Sequence, residues 1–166
     1  ALIFDVDCTL ADSMPVHLES WQRIAYKYGF VYSQEELEKN AGMSSQEIIR
    51  IVNRDYNLRL DPDEIAHEKE NEFLRNLDRV KPFNPVVNVL KKYQGKMPIG
   101  AGTGGFRNVA LKVLDLIGVK DKIDVLVAAD DVEHHKPAPD TFLQCAEQLG
   151  VAPEYCLVFE DAELGL

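Results

Sequence analysis

The chain has 166 residues, 46 % of them hydrophobic, enough to bury the core of one domain or of one domain with a small insertion. Its 28 acidic against 18 basic residues leave a net charge of -10, which speaks against nucleic acid or an anionic membrane surface as partner, since both reward basic patches. No apolar run approaches the roughly 18 residues of a membrane span and no basic-then-apolar leader is present, so a soluble, cytoplasmic protein is expected.

In chain order, the apolar run "ALIF" (1–4) reads as a buried strand, followed at once by Asp5, Asp7 and Thr9. Residues 13 to 79 then carry only helical patterns, starting at Pro15, Ser33, Ser44 and Asp61. A capping box is expected at Ser44 with Glu47, and a capped start at Asp61 with Pro62 in the first helical position. Such a length exceeds any single crossover, so it reads as an inserted helical cap with hinges near Ala11–Ser13 and Val80–Pro85. Three further apolar runs, "MPIGA" (97–101), "DVLVAA" (124–129) and "CLVF" (156–159), alternate with amphipathic segments at 106–118 and 139–150, each closed by a glycine. The expected fold is therefore α/β: a Rossmann-like doubly wound parallel sheet with an inserted α-helical cap domain, the core comprising 1–12 and 80–166 and the cap 13–79. The sequence begins inside an apolar run and stops where a helix is expected to start, which reads as a fragment or a truncated chain. Cys8, Cys145 and Cys156 are odd in number and lack metal-ligand spacing; the latter two read as buried apolar filler.

In an open α/β sheet, ligands sit outside the carboxyl ends of the strands. Asp5, Asp7 and Thr9 follow the first strand, Gly102 to Gly105 with Thr103 the second, Asp130 and Asp131 the third with Lys136 beyond, and Glu160 and Asp161 the fourth. Two aspartates two apart can serve as a nucleophile and as an acid or base. Further carboxylates suit a hard cation such as Mg²⁺. A threonine hydroxyl beside free glycine N–H groups, together with a lysine, suits phosphoryl oxygens. Singly, each feature has a plain structural explanation: a cap or turn for Asp-x-Asp-x-Thr, a solvated loop for the lysine, a turn for "GTGG". Their conjunction at four strand ends is the set of parts for phosphoryl transfer.

These residues carry a family resemblance over essentially the whole chain. "DVDCT" (5–9), "IGAGTG" (99–104), "HHKPAPDTF" (134–142) and "VFEDAELG" (158–165) resemble the four motifs of the haloacid dehalogenase superfamily of aspartyl-phosphate phosphotransferases. The cap is similar to that of the β-phosphoglucomutase-like subgroup, and the region from "VAADD" onward to the bacterial fructose-1-phosphate/6-phosphogluconate phosphatases. The resemblance implies Asp5 as nucleophile, Asp7 as acid and base, Thr103 and Lys136 as holders of the phosphoryl group, and a cis Lys136–Pro137 bond. It implies Mg²⁺ held by Asp5, Asp161, the backbone carbonyl of Asp7 and Glu160, the last directly or through water. His17, Trp21 and Lys69 match cap positions near the substrate, although helix packing explains the first two and a solvated face the third equally well. Gly104 and His135 complete the expected substrate contacts; for the loop of His134 and His135, plain exposure is the alternative.

Two departures stand out. Cys8 occupies the position after the second aspartate, where the family has glycine, and Ser45 replaces the arginine with which mutases grip a second phosphate. The expected activity is thus a Mg²⁺-dependent phosphatase acting on a small phosphorylated sugar, as a monomer. A mutase, a catalytically silent phosphosugar-binding relative and a signalling receiver domain are the rivals; receivers have no cap and carry their aspartate on a central strand well into the chain.

Overall fold

In the computed structural model, which describes residues 1–165, the chain runs β1 (Leu2–Phe4), β2 (Ala11–Asp12), α1 (Met14–Tyr28), α2 (Gln34–Lys39), α3 (Ser45–Tyr56), α4 (Pro62–Arg75), β3 (Lys81–Pro82), α5 (Asn84–Tyr93), β4 (Ile99–Gly102), α6 (Arg107–Leu116), β5 (Val125–Val127), α7 (Asp140–Leu149) and β6 (Leu157–Phe159). Leu166, the last residue of the expected core segment, lies outside the described residues.

The four apolar runs pair as a parallel sheet in the order β5-β4-β1-β6, with Phe4 level with Ala101 on one side and Phe159 on the other. Strand alternation sends Leu2 and Phe4 to one face, where they meet Leu90 of α5 and Val109 and Val113 of α6. Ile3 points to the opposite face, against Cys145 and Ala146 of α7. Helices on both faces are the reason these runs are apolar without interruption. The sheet winds from β1 to β4 and β5, then crosses back to β6 on the far side of β1, which puts the topological switch at the carboxyl end of β1.

Helices α1 to α4 form an insert with its own core, in which Trp21, Ile24, Leu37, Ile49, Val52 and Ile65 pack together. Trp21 stacks on Tyr32 at 4.9 Å. The chain leaves and re-enters the sheet domain through β2 and β3, which pair antiparallel, Ala11 with Pro82 and Asp12 with Lys81.

The structure differs from the sequence reading in four places. The box expected at Ser44 is half made: Ser44 accepts from the Glu47 N–H, but the Glu47 carboxylate turns to Arg50. The reciprocal box forms instead at Ser33 with Glu36. Helix α5 was not anticipated, although Pro85 in its first turn and the buried pair Val87 and Leu90, three apart, are its signature. The fourth strand is not buried along its length: β6 is an edge among the described residues, so Leu157 is exposed, and Cys156 just before it is half-buried. Asp61 caps α4 as expected, accepting from the N–H groups of Asp63 and Glu64. Among the described residues, no helix is long and apolar enough to cross a membrane.

Candidate active site

Beyond Phe4 the chain stops behaving as a strand. The Asp5 N–H still donates to the Phe159 carbonyl at 2.9 Å, but Cys8 N–H returns to the Ala11 carbonyl, and the N–H groups of Leu10 and Ala11 to that of Val6. This tight loop lets Asp5 and Asp7, two apart, line one cavity. Its cost falls on Cys8, which adopts φ +64°, a left-handed conformation that a Cβ disfavours by roughly 1–2 kcal/mol.

The floor of the cavity is acidic. Asp5, Glu160 and Asp161 each offer an oxygen, and these lie within 4.8 Å of one another. Among the described residues one cation reaches them: the buried Lys136 donates to Asp5 Oδ1 and to Glu160 Oε2, both at 2.7 Å. Burial raises Asp5 above the ordinary carboxylate range against the pull of Lys136, and Glu160 and Asp7 push it the same way. Burial would lower Lys136, but Asp5 and Glu160 outweigh it and raise the ammonium's pKa. Burial likewise raises Asp161, although Thr9 donates to it at 3.1 Å. Three carboxylates facing a single ammonium form a donor set of hard oxygens with unbalanced negative charge, which fits a divalent cation such as Mg²⁺. The Lys136–Pro137 bond is cis.

Asp7 stands apart from this cluster. Ser13 donates to its Oδ1 at 2.7 Å, and His17 Nε2 lies 3.0 Å from the same oxygen. Burial pushes the Asp7 carboxyl up, but His17, Ser13 and Lys69 more than offset it and hold the group well below the usual range. Lys69 Nζ sits 2.8 Å from His17 Nδ1. An ammonium only donates, so Nδ1 accepts and the Nε2–H faces Asp7. Beside them Thr103, buried at the end of β4, accepts from the Gly105 N–H at 3.0 Å.

The roof comes from the insert. The loop joining α2 and α3 presses on the core so closely that a Cβ on Gly104 would lie 2.5 Å from the Gly42 carbonyl oxygen, and only glycine fits there. His17 stacks on Phe73 at 4.2 Å, and Lys69 lies over Trp21 at 5.4 Å. About 640 Å³ of empty space, part of it open to solvent, separates roof from floor.

Thus Asp5, Asp7, His17, Lys69, Thr103, Gly104, Glu160 and Asp161 all line one cavity, with Lys136 in direct contact with two of them. His135 does not line it; its Nδ1 is buried without a hydrogen-bond partner among the described residues. His134 is exposed and pairs with Asp140. Asp131 is drawn away by Arg107 and the Ala128 N–H, and Asp130 accepts from the Arg107 N–H. Sequence reasoning missed Ser13, Glu70 and the loop residues Asn40 to Met43, none of which follows a strand of the parallel sheet.

The family described as haloacid dehalogenase-like hydrolase matches residues 2–166. The chain is 40 % identical over 167 residues to the fructose-1-phosphate phosphatase YqaB of Escherichia coli (strain K12), covering 99 % of this chain and 88 % of that one. It is 27 % identical to a phosphorylated carbohydrates phosphatase of Thermotoga maritima, over 100 % of this chain and 78 % of the relative. A crystal structure of β-phosphoglucomutase from Clostridium difficile superposes with a TM-score of 0.86 at 28 % identity, over 99 % of this chain and 77 % of that one.

Proposed function

Because the chain belongs to the haloacid dehalogenase-like hydrolases, in their β-phosphoglucomutase-like subgroup, we propose that it is a phosphatase of small phosphorylated sugars working through an aspartyl-phosphate. The observation that carries this reading is the division of labour between the two aspartates: Asp5 on the acidic floor beside Lys136, Asp7 turned toward Ser13 and His17.

Asp5 attacks phosphorus; the new bond joins its carboxylate oxygen to phosphorus, and the bond to the sugar oxygen breaks. Asp7 gives that oxygen a proton. Water then attacks the aspartyl-phosphate, Asp7 takes the water's proton, and inorganic phosphate leaves with Asp5 restored. As found, Asp7 is ionised; the anionic phosphoryl group arriving beside it raises its pKa, toward the protonated form the first step needs and the stronger base the second needs. Thr103 and the Gly104–Gly105 backbone meet phosphoryl oxygens, and Lys136 neutralises them. Asp5, Glu160 and Asp161, with the Asp7 backbone carbonyl as the family resemblance implies, would hold Mg²⁺, which supplies Lewis-acid neutralisation of the phosphoryl charge. The names of the E. coli and T. maritima relatives support a carbohydrate leaving group. Ser45, which brings no charge to the roof, supports transfer to water over gripping a second phosphate.

The test is phosphate release, with Mg²⁺, from fructose 1-phosphate, 6-phosphogluconate and β-glucose 1-phosphate, with Asp5→Asn as the blank. Release from at least one of them, falling about 10³-fold or more in the mutant, is expected. No release from any of them, by folded protein that binds Mg²⁺, would sink the reading.

A further inference from the structure

Glu70 is a buried carboxylate of α4, next in sequence to the buried Lys69. It is 5 % exposed, it lines the cavity at the roof, and its two oxygens are used unequally. Oε1 accepts from Ser45 Oγ at 2.8 Å and from Lys69 Nζ at 3.1 Å. Oε2 is buried with no partner among the described residues. A buried carboxylate oxygen without a donor costs roughly 1–3 kcal/mol or more, so a donor is called for. Lys69 is the complement: its ammonium spends one proton on His17 and one on Glu70, leaving a third.

Glu70 and Lys69 both line the cavity, and between them, among the described residues, they leave one carboxylate oxygen without a donor and one ammonium proton without an acceptor, while their charges cancel. We infer that Glu70, paired with Lys69, selects a leaving group whose end remote from the phosphate carries an uncharged hydroxyl, and rejects one ending in a carboxylate or a second phosphate. A hydroxyl donates to Oε2 and accepts from Lys69 in the same contact. A carboxylate or phosphate satisfies Lys69 only, and sets a second anion against Oε2 in a buried place. An ammonium satisfies Oε2 and faces Lys69. The inference rests on reading the cavity as a sugar-phosphate site, and it narrows that reading to neutral sugars and polyols.

Glucitol 6-phosphate and 6-phosphogluconate share one carbon chain and differ only at the far end, a CH₂OH against a carboxylate. Calorimetric titration of the Asp5→Asn protein with Mg²⁺ present measures both without turnover. The polyol phosphate is expected to bind at least about tenfold tighter, like-charge contact being the penalty on the other. Adding Glu70→Gln keeps an oxygen for Ser45 and Lys69 but removes the negative charge, so the preference is expected to fall below about threefold, mainly through tighter binding of 6-phosphogluconate. A purely structural role for Glu70 would weaken both ligands alike and leave the ratio unchanged, and that result overturns the inference. So does comparable binding of the two ligands, or of neither, by the Asp5→Asn protein, a result that stands even if the double variant does not fold. Phosphate release by the wild type with no binding preference would fell this inference alone. A preference without any phosphate release would fell the phosphatase reading alone.

Discussion

The floor and the roof of the cavity are both built from buried charges, yet they are balanced differently. On the floor, Asp5, Glu160 and Asp161 face the single ammonium of Lys136. On the roof, Lys69 and Glu70 neutralise one another. An unbalanced buried cluster is stable only when something completes it, so the floor is written for a cation and a phosphoryl group. A balanced pair asks for a neutral ligand. On the proposed reading, the chemistry that every substrate shares falls to the sheet domain, and the choice among substrates to the insert.

Removing the one cation of the floor should give the largest effect. Lys136→Met leaves the three carboxylates uncompensated, and a loss of about 3–5 kcal/mol in denaturant unfolding is expected, along with phosphate release, since a buried pair broken on one side strands a charge. Mg²⁺ should restore part of that stability; a variant as stable as the wild type without metal would break the contrast between floor and roof. Thr103→Val sharpens it from the other side. Among the described residues its hydroxyl has one protein partner, the Gly105 N–H, so stability should change by about 1 kcal/mol at most while kcat falls about 10²-fold.

Cys8→Gly tests whether the loop carrying both aspartates is strained. Relief of the left-handed residue, less the extra freedom glycine has when unfolded, should leave a gain of about 0.5–1 kcal/mol in stability. Phosphate release should be equal or faster. A loss of stability would mean that the Cys8 side chain packs well enough to outweigh its φ.

The smallest effect lies outside the cavity, where α4 meets α1. Lys27 and Tyr28 donate to Glu68, and these hydrogen bonds hold its pKa below the ordinary value of 4.5. A depressed carboxylate contributes stability above its unfolded pKa and loses it as pH falls through the folded one. Glu68→Gln should therefore cost a few tenths of a kcal/mol at pH 7, the pair being open to solvent, and the gap should narrow and close as pH falls from the ordinary value of 4.5 through the lowered pKa of the folded state. A gap that persists in acid would mean the contribution is packing rather than charge.

Local pattern was enough for the sheet. Runs of three to four apolar residues bounded by turns declare buried parallel strands, and once the strands are placed, Asp5, Asp7, Thr103, Glu160 and Asp161 are at their ends by adjacency alone. Helix α5 was legible too, in Pro85, Val87 and Leu90, but it sits just past a hinge and was absorbed into it. Distinguishing Asp5 and Asp161 from Asp130 and Asp131 was a different matter. All four follow strands, and only the position of Arg107, more than twenty residues away in sequence, shows that Asp131 is turned aside.

The sequence by itself determined the α/β architecture, the insert and the strand-end groups, because period, run length and adjacency are properties of neighbours along the chain. Tertiary structure alone decided that Lys136 crosses 131 positions to reach Asp5, and that Lys69 and Glu70 are buried. In "HEKENEF" a solvated helix face explains Lys69 as well as a substrate contact does, and nothing in the pattern singles out Glu70; only the packing of α4 against α1 and α3 closes both off. Burial depends on what a distant segment covers, and no local pattern carries that information.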